Sequence, residues 1–240
     1  MRPSKRLNDQ IRDITIKTHT SVHHESSCII KCGNTEILCC ATYEESTPYF
    51  LRGLDHGWLT AEYSLLPSST HTRVKREAVI GKQSSRTQEI QRLIGRSLRS
   101  VINLNKLNQR QIVIDCDVIN ADGGTRVTAI TGSYVALNLL VNSLIKKKKI
   151  KQNIMIDQIA AISCGIYNNE IIVDLDYQED KDAQVDANFV FTKDGKIVEI
   201  QSTAEKTSFT QEQFISMLNL AQSKTQELFA IQDQILSQIS

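Results

Sequence analysis

Residues 112–145, IVIDCDVINADGGTRVTAITGSYVALNLLVNSLI, join two hydrophobic patterns at a pair of glycines. The residues before Ala121 have the acidic, alternating pattern of a β-strand. After Gly123 and Gly124, apolar residues recur three and four positions apart, which is the period of one face of an α-helix. This stretch therefore predicts a strand, a tight turn and a long helix. It also raises the question of what a helix that begins Gly-Gly-Thr-Arg binds.

Strand patterns lie on both sides of this stretch. Three pairs of neighbouring strand patterns are each joined by a dipeptide that favours a tight turn. Each pair is therefore predicted to form a β-hairpin. These dipeptides are Gly33-Asn34, Asn168-Asn169 and Asp194-Gly195. A second helical pattern begins at Ser85, and a third follows a predicted capping box formed by Ser208 and Gln211.

The predicted order of elements is strands, helix, strand, helix, strands and helix, which indicates an α+β fold. The sheets are predicted to be largely antiparallel and packed with helices, in two related β-α units. The chain has no Pro-rich or Gly-rich linker, so we expect residues 1–240 to form a single domain.

Length and composition limit the classes of function. The chain has 240 residues, of which 40% are hydrophobic, and this is enough to bury a full core. Because the formal net charge is only +1, affinity for a polyanion must come from a local patch. The first ten residues carry no apolar signal region, and no uninterrupted apolar run approaches the roughly 18 residues of a membrane span. We therefore expect a cytoplasmic protein with no membrane partner.

The Gly-Gly-Thr-Arg turn has the chemistry of an anion site. The first turn of a helix presents unpaired N–H groups, Gly124 lets an anion approach them, Thr125 adds a hydroxyl and Arg126 adds a forked cation. The alternative is a tight strand-to-helix turn with Arg126 in solvent, and this short motif by itself favours neither. A second helix start, with Arg86 and Thr87 at its beginning, strengthens the phosphate interpretation.

Carboxylates outnumber cations between residues 174 and 186. The acidic residues are Asp174, Asp176, Glu179, Asp180, Asp182 and Asp186, and Lys181 is the single cation among them. Because carboxylate oxygens are ligands that Mg²⁺ prefers, Asp180 and Asp186 are a candidate metal-binding pair. The alternative is an exposed acidic loop between two strands.

Basic residues form a candidate RNA surface. Arg73 and Arg76 lie in a polar loop after Pro67. Arg92, Arg96 and Arg99 share one face of the following helix. Contacts of these arginines with phosphate groups would give affinity that does not depend on RNA sequence. Subunit contacts are the alternative role for them, and the lysine run KKKK at residues 146–149 is interpreted as a solvated helix end.

The cysteines and histidines show no persuasive metal or nucleophile motif. The six cysteines are predicted to be buried free thiols, with zinc binding or a disulfide as the less favoured alternatives. The histidines are interpreted as surface or packing residues. They are His19, His23, His24, His56 and His71.

Seven segments, in order along the chain, carry a resemblance to a known family. They are MRPSKRLNDQIR, GWLTAEYSLLP, THTR, RTQEIQRLIGRSLR, IDCDVINADGGTR, EDKDAQVDANFV and EIQSTAE. Through them the chain resembles the bacterial ribonuclease PH family, phosphorolytic 3′ exoribonucleases that trim the 3′ ends of tRNA precursors. The resemblance runs nearly end to end.

The resemblance implies a single ribonuclease PH domain of two βαβα-like halves and a ring-shaped homohexamer built as a trimer of dimers. It implies that inorganic phosphate, in place of water, attacks the last phosphodiester of a tRNA precursor or another RNA 3′ end and releases a nucleoside diphosphate. The implied phosphate-binding residues are Arg86, Gly124, Thr125 and Arg126. The implied catalytic residues, which support Mg²⁺, are Asp180 and Asp186.

Two positions depart from the family pattern. An arginine is usual where this chain has Ser68, which puts an RNA or interface contact in question. A Gly-Gly pair is usual where this chain has Ser84 and Ser85, and these serines are expected to stiffen the loop ahead of Arg86. Neither departure removes a residue assigned to catalysis.

Two other classes of function compete with this one. A non-catalytic ring subunit that binds RNA is expected to lack part of the arginine and aspartate set, which is complete here. A small-molecule phosphate-binding enzyme of similar layered fold would not explain the basic loop and the arginine stripe together.

Overall fold

The computed structural model describes residues 2–23, 26–51 and 53–239, which form two sheets with helices packed on them. The first sheet has the strand order β1-β2-β3-β5-β4, and every neighbouring pair is antiparallel except β4 with β5. Its strands are β1 (Ile14–Thr18), β2 (Ser27–Cys32), β3 (Thr35–Glu44), β4 (Trp58–Leu65) and β5 (Gln111–Asn120). The associated helices are α1 (Glu77–Ile80), α2 (Ser85–Arg99) and α3 (Thr125–Lys146).

The second sheet is antiparallel throughout, with the order β7-β6-β8-β9. Its strands are β6 (Ile159–Tyr167), β7 (Glu170–Val173), β8 (Val185–Thr192) and β9 (Ile197–Ala204). The associated helices are α4 (Tyr177–Asp182) and α5 (Gln211–Ser237). The predicted α+β class with largely antiparallel sheets is therefore confirmed.

Helix α3 lies between the two sheets, in contact with β2 and β3 on one side and β6 on the other. Most of its 22 residues are buried, as expected for a helix that is apolar on all sides. The helix is long and apolar enough to cross a membrane, but 78% of its most apolar window is buried inside the protein, as in a core helix. Because α3 begins at the Gly-Gly turn, the core fixes where that turn lies.

The three predicted hairpin turns are confirmed, since each dipeptide separates two paired strands. The predicted capping box at Ser208 is wrong. Helix α5 is capped by Thr210, which accepts from the Gln213 backbone N–H while the Gln213 side chain accepts from the Thr210 N–H. Ser208 and Thr210 both have glutamine three residues later, and the cap is the residue whose extended backbone directly precedes the first helical turn.

Candidate phosphate and metal site

A cleft of about 440 Å³ lies where the beginnings of α2 and α3 approach α4 and β8. It brings together residues that are up to 120 positions apart in the sequence (Arg86 to Lys206). All the predicted phosphate-binding and catalytic residues line it. They are Arg86, Gly124, Thr125, Arg126, Asp180 and Asp186.

Both glycines are required by backbone conformation, and Gly123 is required by close packing as well. Both have positive φ, 78° at Gly123 and 66° at Gly124, where L-residues are strained. A Cβ atom on Gly123 would lie 2.6 Å from the Leu175 carbonyl oxygen and 2.6 Å from the Asp176 carbonyl carbon. The tight turn and the anion site are thus compatible, because the turn that needs glycine also leaves α3 without a side-chain cap on its first N–H groups.

Thr125 is oriented by Tyr63, a residue that carries no predicted role. Its Oγ1 accepts a hydrogen bond from the Tyr63 hydroxyl at 2.9 Å, in a buried position. Burial raises the pKa of Tyr63, so the phenol stays neutral and able to donate. The alternation of β4 predicts that Tyr63 faces the core, and only the fold shows that it faces Thr125.

The Arg126 guanidinium is held between two elements. Its Nη1 donates to Gln201 Oε1 on β9 at 2.8 Å and lies 3.3 Å from Glu89 Oε1 on α2. Because only 16% of the Arg126 side chain is exposed, Arg126 is not the freely solvated arginine of the alternative interpretation. Arg126 is therefore presented to the cleft in a restrained position.

Arg86 projects from a helix start that is capped by Ser84, the first of the two serines. Ser84 Oγ accepts from the Thr87 backbone N–H at 3.1 Å. Glu77 of α1 accepts from the Ser84 N–H at 3.0 Å and from the Thr87 hydroxyl at 2.7 Å. These bonds restrain the loop ahead of Arg86, and the stiffening of that loop by the serine pair relative to glycine stays a prediction.

The two aspartates repel each other across the cleft. Burial, followed by the charge of Asp180, raises the pKa of Asp186 to about 6, although Arg126 opposes this change. Burial also raises the pKa of Asp180 against the influence of Arg86 and Arg126, and Glu205 adds to the effect on both. A cation bound beside the two carboxylates would favour their charged forms and so oppose both effects.

This arrangement fits Mg²⁺ held together with a phosphate ligand. Within residues 2–23, 26–51 and 53–239, no group of three or more His, Cys, Asp or Glu side chains is placed to enclose a metal. Mg²⁺ does not need such a cage, because proteins usually bind it through one or two carboxylates, substrate phosphates and water. Asp180 and Asp186 supply that number of carboxylates.

Two other carboxylates of the acidic segment are buried, so the alternative of an exposed acidic loop does not hold for them. Asp174 and Glu179 are 3% and 0% exposed, and both are bound by arginines of the N-terminal segment. Sequence reasoning assigned no role to these arginines, although they recur in the matched segment MRPSKRLNDQIR. They are Arg2, Arg6 and Arg12.

The predicted RNA-binding arginines have different environments. Arg73, Arg76 and Arg92 are exposed. Arg96 Nη1 lies 2.9 Å from Glu199 Oε2 on the surface. Arg99 is half-buried, donating to the Leu59 carbonyl oxygen at 2.9 Å with its guanidinium 4.6 Å from the Trp58 ring. A role in RNA binding stays a prediction for all five.

The predicted free thiols are confirmed for all six cysteines, five of them buried. His71 packs against Tyr177, with ring centroids 4.7 Å apart, as expected for a packing residue. His24 lies outside the described residues.

Comparison with known proteins gives close relatives and matching folds. The family models for the 3′ exoribonuclease family match as domain 1 over residues 10–141 and domain 2 over residues 157–224. Ribonuclease PH from two strains of Caulobacter vibrioides is 52% identical over 232 residues, which is 97% of this chain and 98% of the relative. That residues 1–240 form one domain stays a prediction.

Two solved structures share the fold at low sequence identity. Rrp46 from rice (Oryza sativa) has a TM-score of 0.79 at 16% identity, covering 98% of this chain and 100% of its own. A chain of the Archaeoglobus fulgidus exosome with RNA bound to the active site has a TM-score of 0.80 at 18% identity, covering 95% of this chain and 91% of its own.

Proposed function

Because the chain belongs to the 3′ exoribonuclease family and is a phosphorolytic 3′ exoribonuclease, we propose that its cleft binds inorganic phosphate beside the 3′ end of a tRNA precursor. The observation that carries the proposal is the meeting of Arg86, Arg126 and the start of α3 with Asp180 and Asp186 in one cleft. Two guanidinium groups and a helix N-terminus provide an anion site, and the carboxylates provide a cation site beside it.

The arginines reduce the main physical barrier to this reaction, which is the repulsion between two phosphate groups. The attacking phosphate and the RNA phosphodiester are both anions, and at about 4 Å their repulsion is roughly 4 kcal/mol for an effective dielectric constant of about 20. Arg86 and Arg126 hold the attacking phosphate and offset its charge. Because Glu89 and Gln201 restrain Arg126 before the ligand arrives, little ordering remains for binding.

The reaction is a direct displacement between phosphates. A phosphate oxygen forms a bond to the phosphorus of the terminal nucleotide, and the bond from that phosphorus to the 3′ oxygen of the shortened RNA breaks. The products are a nucleoside diphosphate and an RNA with a free 3′ hydroxyl. No protein nucleophile is required.

Asp180 and Asp186 are proposed to hold Mg²⁺. When bound, the ion neutralises charge on the phosphoryl oxygens and on the leaving 3′ oxygen. The raised pKa of both carboxyl groups supports this role, because a bound cation would offset the burial and, at Asp186, the repulsion from Asp180 that raise it.

The surface around the cleft suits RNA. A second hollow of about 430 Å³ adjoins the cleft and shares Arg126 and Asp186 with it, which leaves room for the terminal nucleotide beside the phosphate. Arg73, Arg76 and Arg92 are exposed and supply contacts with the RNA backbone.

We further propose a ring-shaped homohexamer, built as a trimer of dimers, that works in the cytoplasm. Exposed apolar side chains at two places support subunit contacts. They are Tyr49, Phe50, Leu54, Val79 and Ile80. Light scattering of the purified protein tests the proposed assembly.

The product of RNA shortening tests the reaction. Purified protein is incubated with a tRNA precursor carrying a 3′ trailer, with and without phosphate and Mg²⁺, and the released nucleotides are separated by chromatography. We expect nucleoside diphosphates only when both are present. Monophosphates without added phosphate would contradict phosphorolysis, and RNA binding without release would favour the non-catalytic ring subunit.

A further inference from the structure

The N-terminal segment carries three buried or nearly buried arginines that the proposed chemistry does not use. They meet three carboxylates at the base of α4, which are Asp174, Asp176 and Glu179. Three positive and three negative charges make this cluster neutral. The neighbouring Asp180 and Asp186 face the cleft instead, so the segment 174–186 is divided into neutralised carboxylates and carboxylates left for a ligand.

Arg12 joins the two loops that form the cleft. On one side it binds Asp174, through Nε to Oδ2 at 3.0 Å and Nη2 to Oδ1 at 2.7 Å. On the other side its Nη1 donates to the Asp122 carbonyl oxygen at 2.5 Å, and its Nη2 lies 3.4 Å from the Gly123 carbonyl oxygen. One guanidinium thus connects the turn before α3 with the loop before α4.

The turn before α3 and the loop before α4, which Arg12 connects, are held close together. Asp174 has a φ of 54°, which is a strained backbone conformation for a residue other than glycine. The surrounding contacts must maintain this conformation. The same two loops touch at Gly123, where a Cβ atom would collide with the backbone of Leu175 and Asp176. A shift of either loop would therefore move the phosphate site relative to Asp180.

Arg2 and Arg6 hold α4 itself. Glu179, next to Asp180, accepts from Arg2 Nε at 2.8 Å, Arg2 Nη2 at 2.7 Å and Arg6 Nη2 at 3.0 Å. It also accepts from the Asp176 backbone N–H at 3.1 Å, which completes the helix cap. With its carboxylate fully engaged, Glu179 anchors the helix turn that carries Asp180.

We infer that Arg12 is a positioning residue, which sets the distance between the phosphate-binding turn and Asp180 and so acts through both. The inference rests on the proposed function of the cleft. A lysine at this position keeps one positive charge beside Asp174 but lacks the planar fork that reaches both loops. Comparing lysine with arginine at position 12 therefore separates the effect of the charge from the effect of the planar guanidinium, and makes the role testable.

The test compares Arg12→Lys and Arg12→Ala with the wild-type protein, and uses Lys31→Ala, which removes an exposed ion pair with Glu36, as the control. Calorimetry measures the Kd for inorganic phosphate without RNA, and kinetics give kcat and the separate KM values for phosphate and RNA. Circular dichroism and light scattering verify fold and assembly. Millimolar guanidinium is added to Arg12→Ala as a chemical rescue.

We expect Arg12→Lys to weaken phosphate binding and lower kcat, each by at least about tenfold, because a small misplacement of reacting groups is costly. The KM for RNA should stay within about twofold of wild type, since the contacts with the RNA backbone do not depend on the two loops that Arg12 connects. Guanidinium should restore part of the loss in Arg12→Ala, and the Lys31→Ala control should match wild type.

Folded Arg12→Lys protein with unchanged phosphate Kd, KM and kcat would overturn the inference. A lower kcat with both KM values and the phosphate Kd unchanged would also overturn it, because that pattern indicates a smaller folded fraction. Should Arg12→Ala fail to fold, Arg12→Lys decides. Wild-type protein that neither binds phosphate nor releases diphosphates would instead refute the proposed function.

Discussion

Arg126 Nη1 lies 2.8 Å from Gln201 Oε1, so that the first turn of α3 is tied to β9 of the other sheet. The bond crosses the cleft wall and leaves the rest of the guanidinium for a ligand. The cleft is therefore a product of how the two sheets are placed around α3, and its parts can be tested separately.

Gln201→Leu is expected to raise the KM for phosphate about tenfold, because a hydrogen bond to a charged group contributes about 1.5–3 kcal/mol and a tenfold change needs 1.4 kcal/mol. Gln222→Leu is the matched control, since Gln222 on α5 donates a bond of 3.0 Å to the Gly195 carbonyl oxygen, and neither residue lines the cleft. An equal effect of both changes on KM would show that Arg126 is not positioned by Gln201.

Asp180→Ala and Asp182→Ala compare two aspartates of the same short helix. Asp180 lines the cleft, whereas the Asp182 side chain is 59% exposed and lies 3.8 Å from Lys206. We expect Asp180→Ala to abolish release of nucleoside diphosphates while RNA binding, measured by filter retention, remains largely intact. Asp182→Ala should retain turnover, and an active Asp180→Ala protein would exclude Asp180 from the metal site.

The pKa of Asp186 predicts how stability depends on pH. Burial, then repulsion from Asp180, raises this pKa from 3.8 to about 6 in the folded protein. Between these values the folded state binds more protons than the unfolded state, so the contribution of Asp186 to the free energy of unfolding is present below about pH 4 and is lost as the pH rises through about 6. The loss is at most about 3 kcal/mol, from about 1.4 kcal/mol for each pKa unit.

Asp186→Asn should therefore gain stability relative to wild type as the pH rises from 4 to 7, as measured by urea unfolding without phosphate. Mg²⁺ at pH 7 should stabilise wild type and have little effect on Asp186→Asn, because a ligand stabilises only the state that binds it. A parallel pH dependence in the two proteins would contradict the raised pKa, and stabilisation of both by Mg²⁺ would place the ion elsewhere.

Gly123→Ala and Gly81→Ala separate backbone strain from steric collision. Both glycines have positive φ, but a Cβ atom on Gly81 would meet nothing within 4 Å, whereas one on Gly123 would collide with the loop before α4. We expect Gly81→Ala to cost about 1 kcal/mol of unfolding free energy and Gly123→Ala at least about 2 kcal/mol more. Equal losses in urea unfolding would mean that the loops are not in close contact at Gly123.

Arg92→Ala and Arg99→Ala distinguish a surface arginine from a packing arginine. Arg92→Ala should weaken binding to all RNA sequences alike and reduce the slope of log K against log salt by roughly one. Arg99→Ala should reduce unfolding free energy by about 1–2 kcal/mol, through loss of the bond to Leu59 and the contact with Trp58, and should leave the salt slope unchanged. A changed salt slope for Arg99→Ala would assign that residue to the RNA surface.

Several features were open to prediction because they depend on neighbours in the chain. Alternation and turn dipeptides identified the hairpins, and the three-and-four spacing after Gly124 identified α3. The cap of α5 was missed for the same reason, because Ser208 and Thr210 satisfy one local pattern equally well and differ only in that the helix begins directly after Thr210.

By itself, the sequence determined the α+β class, the family and the residue types of the cleft, since these follow from local periodicity and from motifs that are continuous in the chain. Only the tertiary structure decided which carboxylates face the cleft and which are neutralised inside. Arg12 and Asp174 are 162 positions apart, and their 2.7 Å contact exists because the N-terminal segment lies against the loop before α4. Charge pairing of this kind depends on distance in space, and local sequence patterns contain no information about that distance.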